Sequence, residues 1–302
     1  MRKKRNIKIL SLQSNNYGAA GIIVAVMLIG LFFTFLSVVQ LSYIPNWSEE
    51  REAEHMEKVA EQFTQLKFAV DVLSTLEQSG NKITTSLTLG TNEIPLPLFL
   101  KSEKSFGYLR LMEDESVINV TDTTPVTNSY ELGSIKYSPR NSKYIETDYI
   151  YEAGAVITSQ TLGNTMYILP YFTVDFSGNV DITYDAIDFI DIAGKKYTTG
   201  HGITQLQLQY KSKNTNIINN ADKITISTEY MPAWNKFFND TLESAGLIYG
   251  AGNDYEIFEN DVDEEITLDF NNGLTVDVTL TITEINIQIG PGWASWGELI
   301  ND

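Results

Sequence analysis

The sequence predicts an α+β protein: an N-terminal transmembrane helix continued by an amphipathic stalk helix, then a mainly antiparallel β-sandwich-like outer domain with one inserted helix. Three observations predict it. Residues 19–39 are apolar apart from Thr34 and Ser37. From Met56 to Leu73 apolar residues recur at alternating intervals of three and four. Beyond about residue 82 the period falls to two, in short runs rich in Ile, Val, Thr and Tyr set between turn residues.

The apolar stretch comes first. No residue between Lys8 and Glu49 carries a formal charge. Twenty-one helical residues span roughly 30 Å, the thickness of a bilayer core. Thr34 and Ser37 can return their hydroxyls to helix carbonyls. Arg2, Lys3, Lys4, Arg5 and Lys8 precede the run with no acid beside them, although the whole chain has a formal charge of -18. The positive-inside rule then puts the N-terminus in the cytoplasm and the residues after about 45 outside the cell, in a single-pass membrane protein. The expected organisation is a basic leader over 1–18, a transmembrane helix over 19–45, an extracellular stalk helix over 46–80 and a β-rich extracellular domain over 81–302.

The front of the run reads Asn16-Tyr17-Gly18-Ala19-Ala20-Gly21-Ile22. This resembles the class III signal peptide of archaeal type IV pilins and archaellins, in which a basic leader ends in Gly just before the apolar helix. The resemblance covers about 25 residues at the N-terminus. It implies a prepilin peptidase as partner, a cut between Gly18 and Ala19, and an apolar helix kept on the mature protein. Tyr17 stands where that family usually has Lys or Arg, and Ile23 where bacterial pilins carry Glu. The other readings of the segment are an uncleaved anchor and an ordinary secretory signal.

Tyr43 and Trp47 suit an interfacial belt. Pro45 disfavours helix at Ile44, so a kink or break is expected there. Ser48 is the expected cap of a new helix that holds Glu49, Glu50 and Glu52 in its first turn and ends near Ser79, with Gly80 as its stop. Met56, Val59, Phe63, Leu66, Val70 and Leu73 form an a/d seam. The seam can pack on the protein's own core or against neighbouring subunits. His55, on the polar side of the first turns, is expected to be solvated. Within the membrane, Gly21 and Gly30 offer close helix approach.

In the outer domain, Asp175-Phe176-Ser177-Gly178-Asn179-Val180 reads as a hairpin turn. The oxygens of Asp175, Ser177, Asn179 and Asp181 offer a less favoured calcium reading. Leu274, Val276, Val278, Leu280 and Ile282 alternate on one face, then Ile285, Ile287 and Ile289 take the opposite phase, and a bulge near Thr283-Glu284 is the expected cause. Residues 232–244 read as the inserted helix, opened by Pro232 and carrying Trp234, Phe237 and Phe238 as a core stripe. Asn46, Asn119 and Asn239 head N-glycosylation sequons. Asp261, Asp263 and Glu265 lie in the densest acidic run, which reads as a solvated loop before it reads as a cation site. Trp293 and Trp296 are expected to dock on the domain or meet a partner.

Cysteine is absent and only two histidines occur, which excludes disulfides, thiol catalysis and Cys-based metal centres. The acidity excludes a general nucleic-acid binder. No phosphate loop, HExxH pair, nucleophile elbow or dinucleotide fingerprint is present, so neither enzyme activity nor a cofactor is expected. The partners expected are membrane lipid, the leader peptidase, and further copies or other pilin-like subunits. The leading function is a pilin or minor pilin that forms filaments or stays in the membrane. An anchored adhesin or ligand-binding module is the alternative, and an extracellular hydrolase built on paired acids stands last.

Overall fold

A computed structural model describes residues 16–93, 103–192, 195–271 and 273–290. Both tail tryptophans and most of the basic leader lie outside them. One helical rod opens the chain: α1 (Asn16–Val38), a π-turn (Val39–Tyr43) and α2 (Ile44–Leu76). At 1.5 Å per residue it is about 90 Å long. Its apolar half is long and apolar enough to cross a membrane, and none of that window is buried inside the protein. Thr34 and Ser37 donate to the carbonyls of Gly30 and Phe33 at 2.8 and 2.9 Å, so the two hydroxyls are satisfied within the helix.

The rod does not break at Pro45. Ile44 keeps helical angles (φ -63°, ψ -45°), and its N–H bonds to the carbonyl of Val39, five residues back. Pro45 has no N–H to give and its ring would crowd the carbonyl four residues earlier. The wider π-turn immediately before it absorbs that conflict. Ser48 is therefore no cap; it lies inside α2, 3% exposed, with no partner for its hydroxyl. The helix ends three residues sooner than expected, at Leu76, where Glu77 adopts the left-handed conformation (φ 51°) and its N–H returns to Leu73.

Two curled, mostly antiparallel sheets follow, with one helix inserted. Their strands are β1 (Lys82–Thr88), β2 (Phe106–Asp122), β3 (Thr127–Arg140), β4 (Asp148–Glu152), β5 (Ala155–Gln160), β6 (Gly163–Ile168), β7 (Tyr171–Phe176), β8 (Val180–Asp191), β9 (Tyr197–Gly200), β10 (Ile203–Ile218), β11 (Ala221–Ser227), β12 (Tyr255–Asn260), β13 (Glu265–Phe270) and β14 (Val276–Ile289). Helix α3 (Met231–Ser244) comes between β11 and β12, with proline in its first turn. The smaller sheet runs β1-β10-β14-β8-β7; the larger runs β12-β13-β11-β2-β3-β4-β5-β6, with β9 paired to β2. The β7–β8 hairpin turns through Ser177, Gly178 (φ 123°) and Asn179, a conformation that glycine adopts freely.

The apolar residues divide into two cores. One forms around the seam of α2 and takes Leu109, Ile135, Tyr137, Leu208 and Ile287 from the sheets. The other forms around α3, where Trp234, Phe237, Phe238 and Leu242 meet Ile224, Ile266 and Leu280. Several strands serve both. In β14, Val276, Val278, Leu280 and Ile282 face the α3 core, whereas Ile285, Ile287 and Ile289 face the α2 core. In β8, Val180, Ile182, Tyr184 and Ala186 share the first, and Ile187 and Phe189 the second.

This corrects the bulge expected in β14. Its parallel register with β8 runs unbroken from Val276 opposite Val180 to Ile287 opposite Asp191. The irregularity is on the other neighbour, between Tyr210 and Ser212 of β10, which face Ile285 and Glu284. The apolar phase of β14 changes because a different core takes over its opposite face. Between the cores the two sheets meet at Gly133. Its N–H donates to Asp188 Oδ1 at 2.8 Å, and the carbonyl of Phe189 leaves no room for a Cβ there.

Candidate functional site: the helical rod and its latch

The rod is the feature that its sequence and its surroundings mark most strongly. All six seam residues are buried: Met56, Val59, Phe63, Leu66, Val70 and Leu73 are at most 4% exposed. They pack on the chain's own strands, and the buried residues of α2 run from Ile44 to Leu73. The helix is thus a built-in member of the β-domain rather than a free stalk. Gly21 and Gly30, by contrast, have nothing within 4 Å of the position a Cβ would take. Gly18 and Ala19 stand in the first turn of α1.

A second row of buried residues runs beside the seam at intervals of seven: Ser48, His55, Gln62 and Ala69. His55 is 6% exposed, which overturns its expected solvation. Its Nε2 lies 2.9 Å from the carbonyl of Thr88, so the ring nitrogen that carries hydrogen is Nε2 and it donates there. Burial pulls the imidazole below the ordinary histidine range; the Thr88 carbonyl opposes this, Lys58 adds to it, and Glu52 opposes it. Gln62 clasps the same residue, donating to Thr88 Oγ1 at 3.1 Å and accepting from its backbone N–H at 2.9 Å.

One turn nearer the apolar half of the rod, Glu52 occupies the next seam position and is 1% exposed. Its carboxylate accepts the backbone N–H groups of Ser142, Lys143 and Tyr144, each at 2.8 Å. Arg51 adds a bond from Nη1 to the carbonyl of Asn92 at 2.7 Å. These contacts latch the lower end of the sheets to the rod. Sequence reasoning missed Glu52 and His55, yet the seven-residue spacing of Ser48, His55 and Gln62 was the signal that could have found the row.

The remaining predicted residues do not converge. Asn46 is exposed on α2, Asn119 is half-buried in β2 between β3 and β11, and Asn239 lies on α3, where its Oδ1 accepts from Tyr255 at 3.0 Å. Asp261 and Asp263 sit in the β12–β13 turn, where Asn260 Nδ2 donates to Asp263 at 2.7 Å; Glu265 opens β13 and accepts from Ser227. Among the described residues, no group of three or more His, Asp or Glu side chains is placed to hold a metal ion, either there or in the β7–β8 hairpin.

An unforeseen acidic recess lies instead near the end of β11. It is a cavity of about 130 Å³ lined by Glu115, Glu152, Glu229, Asp263, Glu264 and Tyr230, among others. Glu152 is 3% exposed, and Trp234 Nε1 donates to it at 3.1 Å. Burial pushes its carboxyl up to about 7, against hydrogen bonds from Thr228 and Trp234, with the charges of Glu115 and Glu229 adding to the rise. A larger cavity, of about 450 Å³, opens between α2 and the β7–β8 side of the domain and is lined by Lys67, Asp71, Tyr171, Asp185 and Lys213, among others. An apolar rod latched into a two-core β-domain is thus the element that the geometry singles out. No protein-family model matches the chain, and neither a curated protein nor a solved structure is significantly similar to it.

Proposed function

We propose that the chain is a pilin-like surface subunit held in the membrane by α1, with its β-domain outside the cell. One observation carries this reading. A helix that is apolar on every side continues, without a break, into a helix that its own β-domain encloses. In such an arrangement α1 is free on all sides to pack on like helices, whereas the α2 seam is already used. Moving α1 from lipid into a bundle gains little hydrophobic energy and depends on close packing, for which the open surfaces at Gly21 and Gly30 are suited. The reading includes removal of the basic leader between Gly18 and Ala19, and it gives the chain no catalytic role.

The test is the mass of the N-terminal peptide from protein purified from its native host. A peptide beginning at Ala19 is expected, and one beginning at Met1 or Arg2 rejects the leader. The second reading, an anchored binding module that does not polymerise, is favoured by the 450 Å³ cavity beside α2, whose lysines and carboxylates suit a small polar ligand. Sheared filaments that contain the chain would count against it.

A further inference from the structure

We propose that the lower end of the β-domain rests on the headgroup layer of the membrane that α1 spans, so that the protein touches lipid with its sheets as well as with its helix. The proposal rests on the membrane-span reading above and adds a second lipid contact to it.

The height of the domain follows from the latch. Tyr43 and Trp47, whose rings lie 6.1 Å apart, are exposed side by side at the end of the apolar half. Aromatic pairs of this kind settle at the headgroup level. Glu52 is five residues further along, which is about 8 Å of helix. A headgroup layer is itself about 5–7 Å deep. The loop that Glu52 grips, residues 142–144, therefore stands at the outer edge of that layer.

Apolar side chains are exposed at this level, among the ion pairs Lys143–Glu103 and Arg140–Glu146. Tyr144 and Ile145 follow the gripped amides and are exposed, Ile145 by 63%. Ile203 is 67% exposed and pairs with Thr88, the residue that His55 holds. Phe106, at the foot of β2, and Tyr108 two residues above it are also exposed; the Phe106 ring stands edge-on to His201, and Arg140 lies over the Tyr108 ring. These are aromatic and aliphatic groups beside charge-paired basic side chains, and Trp, Tyr and long basic residues are the groups that interfacial surfaces carry.

The absence of cysteine makes the test clean. Full-length chain with a single introduced cysteine is labelled with an environment-sensitive fluorophore and reconstituted into phosphatidylcholine–phosphatidylglycerol vesicles. Some vesicles carry a nitroxide at the headgroup and others a nitroxide deep in the acyl chain. Ile203→Cys and Ile145→Cys report the proposed contact. Val126→Cys reports the far end of β2, about 50 Å away along a 17-residue strand. Leu31→Cys reports the span.

Expected are a blue-shifted emission at 203 and 145 that the headgroup nitroxide quenches, no quenching at 126, and quenching at 31 by the deep nitroxide alone. If 31 is quenched while 203 and 145 behave like 126, the contact is absent and the span stands. If 31 is unquenched by either lipid, the span reading itself falls. Shielding of 203 and 145 from aqueous iodide that grows with protein density, without lipid quenching, would assign the surface to a second copy and overturn the proposal.

Discussion

The two cores are made by the same device, a helix laid against curled strands, but they differ in where the helix comes from. Helix α3 lies entirely within the β-domain and brings a dense aromatic cluster: Trp234, Phe237, Phe238 and, from β7, Phe172 stack at centroid distances of 5.6–5.8 Å. Helix α2 is half of a rod whose other half is exposed and apolar on every side, and its core mixes six seam side chains with the polar row of Ser48, His55 and Gln62. The difference teaches that one core specifies the domain and the other also specifies how the rod enters it. A seam of apolar residues alone can slide along a helix by a turn. Hydrogen bonds to Thr88 and to the amides of residues 142–144 cannot.

Several experiments would break or sharpen this comparison. Trp234→Ala and Phe63→Ala each empty the centre of one core and should each cost about 3–5 kcal/mol in denaturant titrations of the detergent-solubilised protein. Because β8 and β14 serve both cores, either change should move the whole transition. Two separate transitions in either variant would show that the cores are independent.

The buried ionisable groups differ in sign. Burial in the α3 core pushes the Glu152 carboxyl up to about 7 from the ordinary glutamate value of 4.5, so the folded state holds its proton over a range where the unfolded state has lost it. Its contribution is therefore lost as pH rises from about 4.5 to about 7, up to roughly 3 kcal/mol. Melting temperatures at pH 5 and pH 8 should converge in Glu152→Gln; an unchanged difference would refute the assignment.

At the α2 latch, Glu52→Ala strands three backbone N–H groups and should cost about 2 kcal/mol. Faster amide hydrogen exchange confined at first to residues 142–144 would report the loss, and Glu52→Gln should restore part of it. The smallest effect belongs to His55. Its pKa is lowered on folding, so the stability it contributes is present above the unfolded value of 6.5 and is lost as pH falls from there through the lower folded value. His55→Gln should flatten the acid side of the pH–stability curve and leave the alkaline side alone.

Much of this plan was legible before any coordinates. The apolar run, the a/d seam, the β7–β8 hairpin and α3 with its opening proline all rest on local periodicity and turn chemistry, which a sequence states directly. The phase change in β14 was legible as a fact and misread as to cause. Whether a face is covered depends on strands distant in sequence, and here a bulge on β10 and a change of core produce the pattern expected of a bulge in β14 itself. His55 and Glu52 were misjudged for a related reason. A polar residue beside an apolar seam reads as solvated unless its partner is known, and the partners, Thr88 and residues 142–144, lie 33 and about 90 residues away. Glu152 gave no signal at all, since nothing local distinguishes a carboxylate that Trp234 will cover.

On the pilin-like reading proposed above, the π-turn would bear on assembly. Each residue of an α-helix advances the direction of its side chains by about 100°, and a π-turn lodges one extra residue within a single turn. The azimuth of α1 is therefore offset from that of α2, and the stripe that would mesh with like helices in the bilayer is not the continuation into α1 of the seam enclosed by the strands. Oligomer geometry would then be set by a phase angle stored in five residues: losing one of them would swing each head around its own axis while leaving both the head and the span intact.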